Sequence, residues 1–265
     1  MNIVVCVKPV PDPEKYSRLK LDKKTKRLIR DGIPSVINPS DKNAMEMALS
    51  LREQHGGKVI VISMCPAFSA MQIKECLAMG ADKGYILSDE AFGGADTFTT
   101  SYTLMEGIKK LDIDADLILG GSVSEDGATS QVISQLGEWM QLPHINDVDS
   151  IVLADTTATV KKKIPNGYID YQVELPAVFG IAKGANQPRM ITGKGIISCR
   201  NKEVIIWNNE DIHGDTAYLG LAGSPTQPGE LIEPDNRRAS LKIQGTPEEV
   251  ADQIIEAIRK SGYQL

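Results

Sequence analysis

The chain has 265 residues, with 29 Lys and Arg against 35 Asp and Glu, a formal net charge of −6 and no block of five or six like charges. That length buries a substantial core without disulfide or metal staples, and the acidic balance argues against nucleic acid as a partner. Cys6, Cys65, Cys76 and Cys199 show no CxxC spacing and only three histidines occur, so no iron–sulfur or zinc site is encoded locally and buried free thiols are expected.

The opening residues Met1-Asn2-Ile3-Val4-Val5-Cys6-Val7 read as a short apolar strand with no basic leader. No apolar run approaches the ~20 residues that span a bilayer, so a soluble, cytoplasmic protein without membrane insertion is expected. Four nearly continuous apolar runs, Ile3–Val7, Lys58–Ser63, Gly84–Leu87 and Asp116–Leu119, read as strands buried on both faces of a parallel sheet. Between the first two, Leu19–Ile37 predicts an excursion of short antiparallel strands turning at Asp31-Gly32. A helix capped at Ser40-Asp41 follows, with Ala44, Met47, Ala48 and Leu51 on one side and Gly56-Gly57 as its stop. A second helix carries Met71, Ile73, Leu77 and Met79, and a third runs from about Thr97 to Leu111. The alternation predicts an α/β fold: a doubly wound, mostly parallel, Rossmann-like sheet with right-handed crossovers.

The run Leu117-Ile118-Leu119 passes into Gly120-Gly121-Ser122-Val123-Ser124-Glu125-Asp126-Gly127-Ala128-Thr129-Ser130-Gln131-Val132 and then a helical pattern at Ile133, Leu136 and Met140. A strand, a small-residue loop and a helix start therefore meet where open α/β sheets bind ligands, and the loop reads as a nucleotide site. Neither GxGxxG nor GxxxxGK[ST] is present. After residue 146 the texture turns β-rich, with Val148–Leu153, Thr157–Lys163, Tyr168–Leu175 and Val178–Ala182 expected to extend the sheet antiparallel. Residues 214–236, rich in Gly, Pro, Ser, Thr and Asp, read as a linker-like arm. The arm leads through Leu241-Lys242-Ile243 to a helix with Thr246 at its N-cap, Pro247 at N1 and Glu249 at N3. The expected division is residues 1–213 as the nucleotide-binding α/β domain and 214–265 as a C-terminal arm and helix.

Several segments together resemble the β subunit of electron transfer flavoprotein over nearly the whole chain. They are Val5-Cys6-Val7-Lys8-Pro9-Val10-Pro11-Asp12, Ile37-Asn38-Pro39-Ser40-Asp41 with Ala44-Met45-Glu46, and Ala78-Met79-Gly80-Ala81-Asp82. To these add Asp126-Gly127-Ala128-Thr129-Ser130-Gln131-Val132, similar to the family's nucleotide loop, and Glu174–Val178 through Asn186-Gln187-Pro188-Arg189. The resemblance implies an electron-carrier subunit in a heterodimer with an α subunit; the C-terminal arm and helix would pack on that partner or close onto their own domain. Ordinary members hold a structural AMP. Electron-bifurcating members hold FAD, which takes hydride from NADH and sends electrons to the α-subunit flavin, toward an acyl-CoA dehydrogenase or reductase, and to ferredoxin. The stretch Ser88–Thr100 resembles the bifurcating version. Downstream of Arg189 the chain departs from ordinary members: Met190-Ile191-Thr192-Gly193-Lys194-Gly195-Ile196-Ile197 lacks their anchoring leucine and basic tail, which points to a dedicated partner.

Roles for single residues carry alternatives. Thr129, Gly127 and Asp126, with Ala128, Gln131 and Val132 beside them, offer donors for pyrophosphate and ribose, or simply cap the helix. Gly120 and Gly121, followed by Ser122, let the backbone approach a ligand or merely turn the chain. Asn38 and Asp41 line the site or cap a helix. Cys6 and Met64 stand at strand ends near the expected adenine or pack in the core. Asp96, Thr97, Thr99 and Thr100 bind a ribityl chain or phosphates, or Asp96 caps the third helix. Arg189 sets a positive charge near a flavin ring or forms a surface ion pair. No catalytic acid–base residue and no metal ligand is assigned; a stand-alone nucleotide-binding protein is the reading from another class.

Overall fold

The computed structural model describes residues 1–18, 20–22, 27–29, 32–111, 113–227, 229 and 242–262. In chain order the first half holds β1 (Asn2–Cys6), β2 (Pro9–Pro11), β3 (Lys20–Asp22), β4 (Arg27–Ile29), β5 (Ser35–Ile37), α1 (Pro39–His55), β6 (Lys58–Met64), α2 (Ala70–Met79), β7 (Lys83–Leu87), α3 (Thr97–Lys109), β8 (Leu117–Gly121) and α4 (Val132–Met140). The second half holds β9 (His144–Ala154), β10 (Thr157–Ile164), β11 (Gly167–Glu174), β12 (Ala177–Ile181), α5 (Gly193–Cys199), β13 (Val204–Trp207), the one-turn helices α6 (Asn209–Ile212) and α7 (Gly220–Gly223), and α8 (Pro247–Lys260).

Nine of these strands form one sheet in the order β11-β10-β9-β12-β8-β1-β6-β7-β13. From β9 to β13 every neighbouring pair is parallel. The apolar runs explain why: Ile3, Val5, Val59 and Val61 face one helical layer with residues of α1 and α2, while Val4, Ile60, Ile62 and Ile118 face the other with residues of α3 and α4. Alternation along a strand buried on both faces needs apolar residues at every position.

Four details differ from expectation. The first helix begins at Pro39, with Asn38 in the N-cap position, so Ser40 and Asp41 lie inside its first turn. Of the β-rich strands only β10 runs against the rest, pairing antiparallel with β9 and β11; β12 inserts between β8 and β9 and is parallel to both. Phe179 and its neighbours in β12 are buried on both faces, as a central parallel strand requires. Met71, counted with Ile73, Leu77 and Met79 in the second helix's apolar pattern, is 72 % exposed while those three are buried. Residues 214–227, read as linker, pack onto α3: Leu219 and Ser224 are buried, and the Asp215 N–H donates to the Tyr102 hydroxyl at 2.9 Å. The excursion between β1 and α1 contains antiparallel pairs β2–β5 and β3–β4. Asp31 and Leu241 lie outside the described residues.

The chain divides into a compact unit of Met1–Gly229 and a second of Glu230–Leu265. In the second, α8 carries the expected capping box: the Thr246 hydroxyl accepts from the Glu249 N–H, and the Glu249 carboxylate accepts from the Thr246 N–H. Among the described residues no helix is long and apolar enough to cross a membrane.

Candidate functional site

A cleft of about 600 Å³ opens at the carboxyl ends of β1, β6 and β8, the position where parallel sheets bind ligands. Cys6 and Met64, the last residues of β1 and β6, form its floor with Gly121 and Ser122 at the end of β8. Asn38 and Asp41 supply one wall from the start of α1. Gly127, Thr129, Gln131 and Val132 supply another from the loop leading into α4. Asp96, Thr97 and Thr100 close the far side at the start of α3.

Five candidates do not line it: Gly120, Asp126, Ala128, Thr99 and Arg189. Gly120 is needed for packing, since a Cβ there would stand 2.4 Å from the Ile133 Cδ1. Ala128 holds a left-handed turn of the loop with φ 50°. Asp126 is drawn away from the helix start to pair with the Lys8 ammonium at 2.7 Å. Neither Asp126 nor Thr129 caps α4, whose N-cap is Gln131 without a side-chain cap bond. Gln131 instead accepts a hydrogen bond from the Thr97 hydroxyl at 3.1 Å, bridging loop and α3 across the rim.

Asp41 is the centre of the site's architecture. Its Oδ2 accepts from the Lys8 N–H at 2.6 Å, and its Oδ1 accepts from the Gly121 N–H at 2.9 Å and the Asn38 amide at 3.0 Å. One carboxylate thus joins the chain after β1, the end of β8 and the α1 start. Gly121 is obligatory here, because any Cβ would stand 2.2 Å from the Ser40 hydroxyl and 2.3 Å from Asp41 Oδ1. Burial raises the Asp41 carboxyl to about 6 against the opposing pull of the hydrogen bonds from Asn38, Lys8 and Gly121 and the Lys8 charge. The Cys6 thiol is pushed up to about 12, by burial first and by Asp41 second, so it stays protonated and serves as floor, not nucleophile.

Asn38 ties the same region to the loop: its amide donates to the Val123 carbonyl at 2.9 Å, and its Oδ1 accepts from the Glu125 N–H at 3.1 Å. Asp126 is held below the usual carboxylate range: burial opposes this, but the Lys8 hydrogen bond and charge outweigh it. Asp96 caps α3 through Oδ1, which accepts from the Phe98 and Thr99 N–H groups at 2.9 and 3.1 Å.

Arg189 does not reach the cleft. Its guanidinium pairs with Glu46 at 2.8 Å and with Glu53, both on α1, which resolves its alternatives in favour of an ion pair. Thr99 is likewise buried inside α3, bonded to Ser224. Lining residues not singled out in the sequence include Val7, Lys8, Leu104 and Thr226. Lys8 carried a signal, being the first basic residue after the first strand; Thr226 carried none, since its place depends on the fold of residues 214–227.

The electron transfer flavoprotein domain family matches residues 25–212. The chain is 40 % identical over 262 residues to the caffeyl-CoA reductase-Etf complex subunit CarD of Acetobacterium woodii, covering 98 % of each chain. It is 38 % identical to the electron transfer flavoprotein subunit beta of Clostridium acetobutylicum, covering 99 % of this chain and 100 % of that one. The acryloyl-CoA reductase electron transfer subunit gamma of Anaerotignum propionicum is 32 % identical, covering 97 % and 98 %. With its sheet order and its cleft at the strand ends, the chain belongs to the electron transfer flavoprotein family, as a β-type subunit in electron transfer.

Proposed function

We propose that the cleft holds FAD, that hydride from NADH is delivered there, and that electrons pass on singly to the flavin of an α subunit and to a ferredoxin-like acceptor. The observation that carries this is the reach of the cleft. It runs from the β1 and β8 ends, with Lys8 and the 122–131 loop, to the hydroxyls of Thr97 and Thr100 on α3. Its volume of about 600 Å³ lies within the roughly 300–1,000 Å³ of pockets that enclose small-molecule ligands. Loop hydroxyls of Ser122, Ser124 and Thr129 and the Lys8 ammonium suit phosphate oxygens, and Cys6, Val7 and Met64 offer an apolar floor for a ring. A bound flavin supplies the capacity to take two electrons as hydride and give them up one at a time; the chain supplies binding, orientation and exclusion of water.

Relatives named for caffeyl-CoA and acryloyl-CoA reductases support an acyl-CoA reductase as the α-linked partner. A cytoplasmic heterodimer with an α subunit fits the same reading. The test is co-expression with the α subunit, followed by denaturation and quantitation of released FAD and AMP. Two FAD and no AMP per heterodimer are expected. One FAD with one AMP returns the protein to the ordinary carrier class, with a structural AMP in this cleft, and absence of flavin overturns both.

A further inference from the structure

The far end of the cleft is built by a segment whose composition resembles a linker. Leu219–Gln227 crosses the start of α3 and is fixed there by a chain of hydrogen bonds. The Leu221 N–H donates to the Gly93 carbonyl at 2.9 Å. The Asp96 N–H donates to the Ser224 hydroxyl at 2.9 Å, and the Thr226 N–H donates to Asp96 Oδ2 at 2.9 Å. The Ser224 hydroxyl also lies 3.1 Å from that of Thr99 and donates to the Gly220 carbonyl at 2.7 Å. Gly220 sits at φ 52° so close to Ala91 that a Cβ would be 2.2 Å from that carbonyl oxygen. Only glycine allows this approach. Ser224 is 6 % exposed and three of its hydroxyl's neighbours belong to the strap or to α3, so it is the point at which strap and helix are registered.

The consequence for the cleft is chemical. Both Asp96 oxygens accept from backbone N–H groups, two from α3 and one from the strap, and the Thr226 side chain adds a further bond to the carboxylate. The carboxylate therefore answers the positive end of the α3 dipole and its first free N–H groups. Beside that carboxylate, which also lines the cavity, stand three hydroxylic side chains, Thr97, Thr100 and Thr226, and no cation. Lys8, the cation among the lining residues, stands at the other end. This end fits an uncharged polyol or heteroaromatic group, not a second phosphate.

Resting on the assignment of the cleft as an FAD site, we infer that strap Leu219–Gln227 is the specificity wall that favours a ligand extending beyond a mononucleotide, with Ser224 as the residue that positions it. A ligand that stops at its first phosphate never meets the strap. One that spans the cleft does.

The experiment is equilibrium titration of the full chain, freed of endogenous nucleotide, with FAD and separately with AMP. Ser224→Ala is expected to weaken FAD binding by about tenfold, the size of one lost buried hydrogen-bonding hub, while AMP affinity changes less than about twofold. Thr226→Val, which keeps its shape and its backbone bond to Asp96 but loses the hydroxyl and that hydroxyl's bond to Asp96, is the second variant and is expected to show the same selectivity to a smaller degree even if Ser224→Ala folds poorly. Equal losses for FAD and AMP, or FAD affinity unchanged in Thr226→Val, overturn the inference while leaving the FAD assignment standing. Wild-type protein that binds AMP but not FAD overturns the assignment and the inference with it.

Discussion

The two ends of the central parallel sheet use the same device for different purposes. At the amino ends, the Asp116 carboxylate accepts from the Asn2 N–H at 2.7 Å and the Asp82 carboxylate from the Val59 N–H at 2.8 Å, while backbone bonds run back the other way. Each carboxylate holds one strand to the next, and Asp82 keeps a 40 % exposed side chain beside Arg52. At the carboxyl ends a single buried carboxylate, Asp41, holds three donors from three segments around the cleft. An exposed carboxylate with one backbone partner staples a sheet edge cheaply in free energy. A buried one is costly to desolvate, and here three donors offset that cost while fixing three segments around the cleft.

That contrast sets the largest predicted effect. In Asp41→Asn, whichever way the amide turns, its NH2 faces an N–H donor, leaving a buried donor unpaired at a cost of about 1–3 kcal/mol. A chain of this size should lose several degrees in Tm, and FAD affinity should fall at least about tenfold because Lys8 and Gly121 lose their common anchor. Asp116→Asn, at the opposite end, keeps an acceptor for its one N–H and should leave FAD affinity unchanged. Thermal unfolding and flavin titration of the two variants side by side check this; equal effects on affinity would erase the distinction between the ends.

The pH dependence sharpens the same comparison. Asp41 has a folded-state value of about 6, above the ordinary 3.8, so between these values the folded chain binds more protons than the unfolded one. Its contribution to stability is therefore best below the ordinary value and is lost as pH rises through about 6. Asp126 and Asp96 are shifted the other way. Each starts from burial that raises it, and each is brought down overall, Asp126 by Lys8 and Asp96 by backbone N–H groups. Their contributions are present above the ordinary carboxylate value and fade as pH falls below it. Denaturant unfolding across pH 3–8 should show a maximum near pH 4, with a decline that levels off above about 6. The high-pH decline should flatten in Asp41→Asn while the acid limb stays.

Much of this was legible in the sequence because it rests on local pattern. The strands around Ile3, Val59 and Leu117 declare themselves as continuous apolar runs, and the α8 capping box is a four-residue signature. The loop Ser122–Val132 stands out by composition and position. What was not legible depends on tertiary partners. Asp41 looks like an N-cap until Pro39 and Asn38 are seen to start the helix, and its three donors lie far apart in the chain. Residues 219–227 satisfy their backbone groups with scattered bonds to Gly93, to one another and to the Asp96 and Ser224 side chains rather than with a ladder, so no periodicity betrays them. The parallel insertion of β12 also leaves no local mark, since a buried central strand reads alike in either direction.

A smaller effect is expected at Lys8. The ammonium is nearly half exposed and paired with Asp126, so in Lys8→Gln the direct loss is a screened charge contact, about three- to tenfold in FAD affinity at low salt. The wild-type advantage should shrink as ionic strength rises. The Asp126 carboxyl should also move up toward its ordinary value once its main counter-charge is gone.

The smallest effect belongs to Arg189, which tests whether a charge near the site in sequence is near it in function. Its guanidinium and backbone N–H both bond the Glu46 carboxylate, and Glu53 takes the remaining face. All of these partners lie on α1, where the Asn43–Asn186 amide contacts fix the same segment at 2.7–3.0 Å. Arg189→Ala should cost about 1 kcal/mol or less in stability, as for other partly exposed ion pairs. Because the charge is already matched by two carboxylates, the midpoint potential of the bound flavin should stay where it is in the wild type. A shift in that potential would show that the residue senses the cleft after all, and that the boundary between scaffold and site lies further along α1 than Asp41.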